Sequence, residues 1–164
     1  MVQAYNFLAS WQLFPEKGTY ENGDRPKSGI YKIEAVPDTK GLAIYHNWVT
    51  LENQAFAASY KIMVDGGLND FHDHQLADKV QAVIPDGITF EIHFYKKGEV
   101  VLHVVHEIMP NGYLKITQQG YKEDGTAYTN TEVYHKQLSV LPYSASVAGA
   151  VIKPNEEGII KHKA

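Results

Sequence analysis

Gly87-Ile-Thr-Phe-Glu-Ile-His-Phe-Tyr95 opens the stretch that decides the fold, which continues through Lys96-Lys-Gly-Glu99, Val100 to Met109, Pro110-Asn-Gly112, Tyr113 to Tyr121, Lys122-Glu-Asp-Gly125 and Thr126 to Leu141. The first segment alternates, with Ile88, Phe90, Ile92 and Phe94 on one face. Strict alternation is the signature of a half-buried strand. Val100 to Met109 is rich in β-branched residues, which favour strands. Asn111-Gly112 is a strong hairpin signal, because both residues tolerate positive φ at little cost. Four strands joined by three short turns make an antiparallel meander.

Working outward from the meander, the same grammar holds upstream. Tyr5 to Trp11 reads as one helical turn leading into a strand, Trp11-Gln-Leu-Phe14. Pro15 to Ser28 reads as a long loop with a short strand at Thr19-Tyr-Glu21. Gly29 to Val36 alternates Tyr31, Ile33 and Ala35 against Lys32 and Glu34. Leu42 to Glu52 places Leu42, Ile44, His46 and Trp48 on one face, and Ala55 to Val64 places Phe56, Ala58, Tyr60, Ile62 and Val64 on one face. Gln75 to Ile84 fits both a helical and a strand period. Strand is preferred, since its β-rich end runs into the turn Pro85-Asp-Gly87. Ser144 to Ile152 reads as a further strand or short helix.

These segments predict an all-β chain, a single antiparallel up-and-down barrel of about 8–10 strands. One domain is expected over residues 1–164, with the barrel at about 5–141 and an irregular segment at 142–164. Successive hairpins without a long return connection favour a barrel over a sandwich. Closure also removes the exposed edges that so many strands would leave.

Composition narrows the function classes. The net charge is −4 and Arg25 is the single arginine, so no nucleic-acid partner is expected. The absence of cysteine removes disulfides, thiolate metal sites and a cysteine nucleophile. No apolar run approaches the ~20 residues of a membrane span, and no signal peptide is legible, so a cytoplasmic protein is expected. No phosphate loop, His-Glu-x-x-His or nucleophile elbow is present. Tyrosine is abundant, at 11 residues, which suits a cavity that mixes apolar rings with hydroxyls.

Trp11 near the start of the first strand, the run of hairpins, and Tyr134-His-Lys136 near the end of the last resemble the calycin superfamily, which includes lipocalins and fatty-acid-binding proteins. Lipocalins carry a Gly-x-Trp motif in the first strand, and a late basic side chain packs across that tryptophan. Trp11 and Lys136 are similar to those two positions, with Ala9 in place of the glycine and lysine in place of the usual arginine. The resemblance implies a barrel that binds a small apolar ligand.

Alternation then nominates the lining. The expected ligand-binding residues are His46, Trp48, Tyr60, Phe90, Phe94, His106, Tyr128, Glu132 and Tyr134, with Ile44, Phe56, Leu102 and Val104 on the same faces. On Thr126 to Gln137 one face reads Tyr128, Asn130, Glu132, Tyr134 and Lys136, and the other Ala127, Thr129, Thr131, Val133 and His135. Neither is apolar, so either a polar cavity wall or a solvated outer face fits. Glu132 fits an exposed role, a hydrogen-bond anchor or a general base.

His46 and His106 share faces with apolar residues, as hydrogen-bonded core histidines or as groups that position a ligand, a metal or haem iron. His93 and His103 fall on the opposite faces and are expected outside. His72-Asp-His74 reads as polar loop or as a surface metal site with Asp70 or Asp73.

Three functions remain open: a binder of a small hydrophobic or aromatic ligand, an enzyme (isomerase, cyclase or lyase) using a His/Glu/Tyr site, and a haem or metal binder. No cofactor, catalytic residue or oligomeric state is assigned. Without an inward arginine, a fatty-acid carboxylate would depend on Lys61, Lys115 or tyrosine hydroxyls, so a neutral aromatic or phenolic ligand fits better.

Overall fold

A computed structural model describes residues 4–138. The expected strand or helix at Ser144–Ile152, and residues 139–164 generally, lie outside the described residues.

Short 3-10 turns at Tyr5–Phe7 and Pro15–Lys17 flank β1 (Ala9–Leu13). Then come β2 (Thr19–Tyr20), β3 (Ser28–Ala35), β4 (Gly41–Val49), β5 (Ala55–Met63) and β6 (Asn69–Asp70). The chain continues through β7 (Lys79–Asp86), β8 (Thr89–Lys96), β9 (Glu99–Ile108), β10 (Leu114–Tyr121) and β11 (Ala127–Lys136). All pairings are antiparallel, in the order β5-β4-β3-β1-β11-β10-β9-β8-β7-β6, with β2 added to β11. The sheet is a nearly closed up-and-down barrel. Among the described residues no helix is long and apolar enough to cross a membrane.

The barrel leaves one gap, where no ladder joins β5 to β6 or β7. Rings fill it. Phe71 and Phe94 meet edge to face at 5.1 Å, and Tyr60 packs on them at 5.8 and 5.9 Å. Apolar contact there replaces the hydrogen bonds that a continuous sheet would make.

Inward faces follow the alternation read from sequence. Phe90, Ile92 and Phe94 are buried, as are Leu42, Ile44 and Ile62. Ile88 departs from the expectation. It is 55% exposed, because Asp86 Oδ1 accepts the Ile88 amide and pulls it into the β7–β8 turn. β7 also runs through Pro85 to Asp86, with a register shift between Val83 and Asp86 that frees the proline from donating to a ladder. Gly112 sits at φ +87°, as the Asn-Gly turn requires.

The two ends of the barrel differ. At one end the turn Tyr5–Phe7 acts as a plug. Trp11 Nε1 donates to the Phe7 carbonyl at 3.0 Å, Phe7 packs edge-on to Phe90 at 5.8 Å, and Asn6 Nδ2 donates to the Gly87 carbonyl at 3.0 Å. Lys136, directly opposite Trp11 in the β1–β11 ladder, lays its ammonium 5.5 Å from the indole centroid. This is the pairing that the calycin resemblance implied. The other end carries the hairpins β4–β5, β8–β9 and β10–β11 and is open.

Candidate functional site

Two polar clusters lie inside the barrel. The deeper one centres on His106, which has no exposed surface. Its Nδ1 is 3.0 Å from the Phe90 carbonyl, and a carbonyl only accepts, so Nδ1 carries the proton. Nε2 then accepts from the Tyr31 hydroxyl at 2.9 Å. Phe90 stacks on the imidazole at 4.5 Å. Burial lowers His106 to about 4, the Phe90 hydrogen bond opposing. Burial likewise raises Tyr31 well above the usual tyrosine value and pushes Tyr60 up to about 12. Both ring nitrogens of His106 are engaged, which leaves it no lone pair for a metal or haem iron.

The second cluster is built on Glu132. Tyr20 donates to Oε2 at 2.6 Å and Tyr134 to Oε1 at 2.7 Å. Both hydroxyls are held in their neutral form, chiefly by burial and then by the carboxylate beside them. Tyr134 spends its one proton on Glu132, so His46 Nε2, 3.5 Å away, can approach it only as a donor. That assignment leaves His46 Nδ1 as an acceptor. Burial lowers His46 below the usual histidine value, with Glu132 opposing. Trp48 covers His46 at 4.7 Å and stacks on Phe56 at 5.5 Å.

Local sequence explains this placement. Tyr20 reaches Glu132 because β2 pairs with β11, Tyr20 opposite Asn130 and Thr19 opposite Thr131. Asn130 then pins the loop: its Oδ1 accepts the amides of Glu21 and Asn22 at 2.8 and 3.1 Å, and its Nδ2 donates to the Asn22 carbonyl at 2.9 Å. The long loop is fastened across the barrel mouth. Tyr128 lies over Gly120, where a Cβ would come within 2.9 Å of its ring, so only glycine leaves room. Gln118 Nε2 donates to the Tyr128 hydroxyl at 3.0 Å.

A cavity of about 370 Å³ opens between these groups, lined by Tyr20, Asn22, Asp24 and Pro26 of the loop, His46 and Trp48 of β4, Ile116 and Gln118 of β10, and Tyr128, Asn130 and Glu132 of β11. Each carboxylate oxygen of Glu132 accepts one tyrosine and keeps capacity for another donor. A larger concavity of about 630 Å³, from Gln12 to the Trp48–Phe56 pair, holds no titratable side chain.

The nominated residues separate into two groups. His46, Trp48, Tyr128 and Glu132 line the cavity, and Tyr134 supports Glu132 from below. Phe90, Phe94, His106 and Tyr60 sit in the packed part, away from it. Phe56 is 48% exposed at the rim. Lys61 and Lys115 occupy outward positions, next to inward Tyr60 and Ile116. His72 packs on Phe71 at 4.6 Å, and among the described residues no third donor joins His72 and His74. Tyr20, Gln118 and Asn130 were not nominated. Alternation had put Asn130 on the Glu132 face, but nothing local signals that Tyr20 pairs with a strand some 110 positions away.

No protein-family model matches the chain, and no curated protein matches it in sequence. Among solved structures, a crystal structure of a point mutant of the fluorescent protein UnaG is similar. Identity is 14% and the TM-score 0.52, over 83% of this chain and 98% of that one. At this identity the likeness carries architecture alone: the two chains share a nearly closed antiparallel up-and-down β-barrel.

Proposed function

We propose that the protein binds a small aromatic ligand that donates a hydrogen bond, in the cavity above Glu132. One observation carries the reading: a carboxylate held by two tyrosines on the floor of an open cavity, beside a tryptophan and a histidine. A fixed carboxylate selects a donor such as a phenolic O–H or a heteroaromatic N–H. Trp48 and Tyr128 offer ring faces, and the Nδ1 of His46 offers a second acceptor. The anionic groups Glu132 and Asp24 line the cavity and no lysine or arginine does, which disfavours fatty acids.

Thermal denaturation with a panel of phenols, indoles and nitrogen heteroaromatics, and with fatty acids as the contrasting set, tests this. A ligand present at ~100 times its Kd stabilises by about 2.7 kcal/mol, which raises Tm by roughly 8–10 °C for a chain of this size. The expected result is a shift with aromatic donors that Glu132→Gln largely removes. A fatty-acid response untouched by Glu132→Gln would overturn the proposal.

The second reading is an enzyme on the same site. It is favoured by Glu132 lying within hydrogen-bond reach of two tyrosines while facing a cavity. Conversion of a compound found to bind, followed by mass spectrometry and lost in Glu132→Gln, would establish it.

A further inference from the structure

We propose that the outer wall of the barrel carries a transition-metal site formed by Glu91 and His93 of β8 with His103 of β9. His93 and His103 are direct partners in the β8–β9 ladder. Their rings stack at 4.0 Å with 16° between planes. Glu91 lies two residues before His93, on the same outward face. Its Oε1 is 3.1 Å from His103 Nε2. One ligand atom from each residue lies within 4.8 Å of the others, and among the described residues this is the one such group of three.

The chemistry of the donor set names the ion. Two imidazoles and one carboxylate suit zinc, nickel or copper(II), whereas magnesium and calcium prefer all-oxygen sites. Bonds of about 2.0–2.1 Å at tetrahedral angles separate ligand atoms by about 3.4 Å. The Glu91–His103 distance already meets this, and His93 closes the remainder by turning about χ1 and χ2. The 3.1 Å contact holds a proton between the imidazole and the carboxylate; when the ion takes its place at Nε2 that proton moves, through solvent, to Nδ1, and the neutral ring coordinates as its other tautomer. All three side chains are half-buried, so water reaches the site and completes the coordination. The neighbouring polar groups are otherwise engaged: Tyr95 donates to Gln81 at 3.2 Å and Gln81 donates to the Gly66 carbonyl at 2.6 Å. The ligands come from two adjacent strands of a rigid ladder, so little ordering is required on binding.

Calorimetric titration of the full chain with zinc, nickel or copper(II) sulfate at pH 7.5 tests the site, with magnesium and calcium chloride as controls. One ion per chain is expected, with Kd below ~100 μM. Loss of even a supporting contact to a metal ligand costs about 10–100-fold, so His93→Gln or His103→Gln should weaken binding at least tenfold, and Glu91→Gln less.

Heteronuclear NMR of the unsubstituted protein gives an independent reading that does not depend on variants folding. The ring signals of His93 and His103 should move together and ahead of the other histidines. No saturable binding, tight binding that persists in the His93→Gln/His103→Gln double variant, or saturation of the unsubstituted protein with those ring signals unmoved would overturn the assignment.

Discussion

His106 and Glu132 are both polar side chains inside one barrel, and the structure treats them in opposite ways. His106 is sealed in the plugged half, both nitrogens matched, a ring stacked on it and no exposed surface. Glu132 is fixed as firmly, by Tyr20 and Tyr134, but it faces a cavity and keeps acceptor capacity. A matched, buried polar group stabilises and specifies a core. A positioned and partly unmatched one is a recognition element. The two tryptophans repeat the contrast: Trp11 is 1% exposed beneath the plug, and Trp48 stands at the open end.

The largest effect should separate the tryptophans. Trp11→Ala removes a buried ring and its hydrogen bond to Phe7, and should cost about 3–5 kcal/mol. Trp48→Ala should cost less, under ~1.5 kcal/mol, because the ring is only partly buried. Urea denaturation measures both, and equal losses would abolish the distinction between the halves.

The next effect is a pH dependence. His106 titrates at about 4 in the folded protein, against about 6.5 when unfolded. As the pH falls, the unfolded chain takes the proton first. Stability is therefore full above pH 6.5 and declines between about 6.5 and 4, by about 3 kcal/mol for this one group. His46 is lowered as well and adds to the same decline. Denaturation midpoints from pH 7 to 4 should show the slope, and His106→Gln should flatten it while lowering stability throughout. A wild-type profile that is level across this window would contradict the sealed histidine.

The smallest effect belongs to Tyr20→Phe, which removes one of the two hydroxyls on Glu132. One net hydrogen bond is worth about 0.5–1.5 kcal/mol. Ligand affinity should fall by about 2–10-fold, with a smaller loss of stability, since the hydroxyl positions the carboxylate more than it supports the barrel. Equal effects on both would make Tyr20 a structural residue only.

Much of this was legible in the sequence. Period-two alternation gave the inward faces of β4 and β8, because a barrel wall has one dry side and the pleat repeats every second residue. On β11 both faces are polar, so alternation left open which one turns inward, and the structure turns Tyr128, Glu132 and Tyr134 in. It also put His93 and His103 outside. Ile88 was misplaced because alternation does not say where a strand begins; the Asp86 side chain decides that. Alternation does not say how far along the barrel a residue sits either, so Phe90 and His106 could not be separated from Trp48 and Glu132. That division comes from the plug at Tyr5–Phe7, a tertiary contact. Tyr20 stayed hidden for a related reason: β2 has two residues, and its pairing with β11 is set by Asn130 gripping the loop backbone.

The central claim is that ligand enters the open half and touches Glu132, His46 and Trp48. The two indole N–H signals test it most directly, since Trp11 and Trp48 report on opposite ends. In a heteronuclear NMR titration with an aromatic donor found by thermal shift, the Trp48 indole should move with ligand concentration while the Trp11 indole, bonded to the Phe7 carbonyl, stays in place. Movement of Trp11 with Trp48 unchanged at saturation would contradict the account.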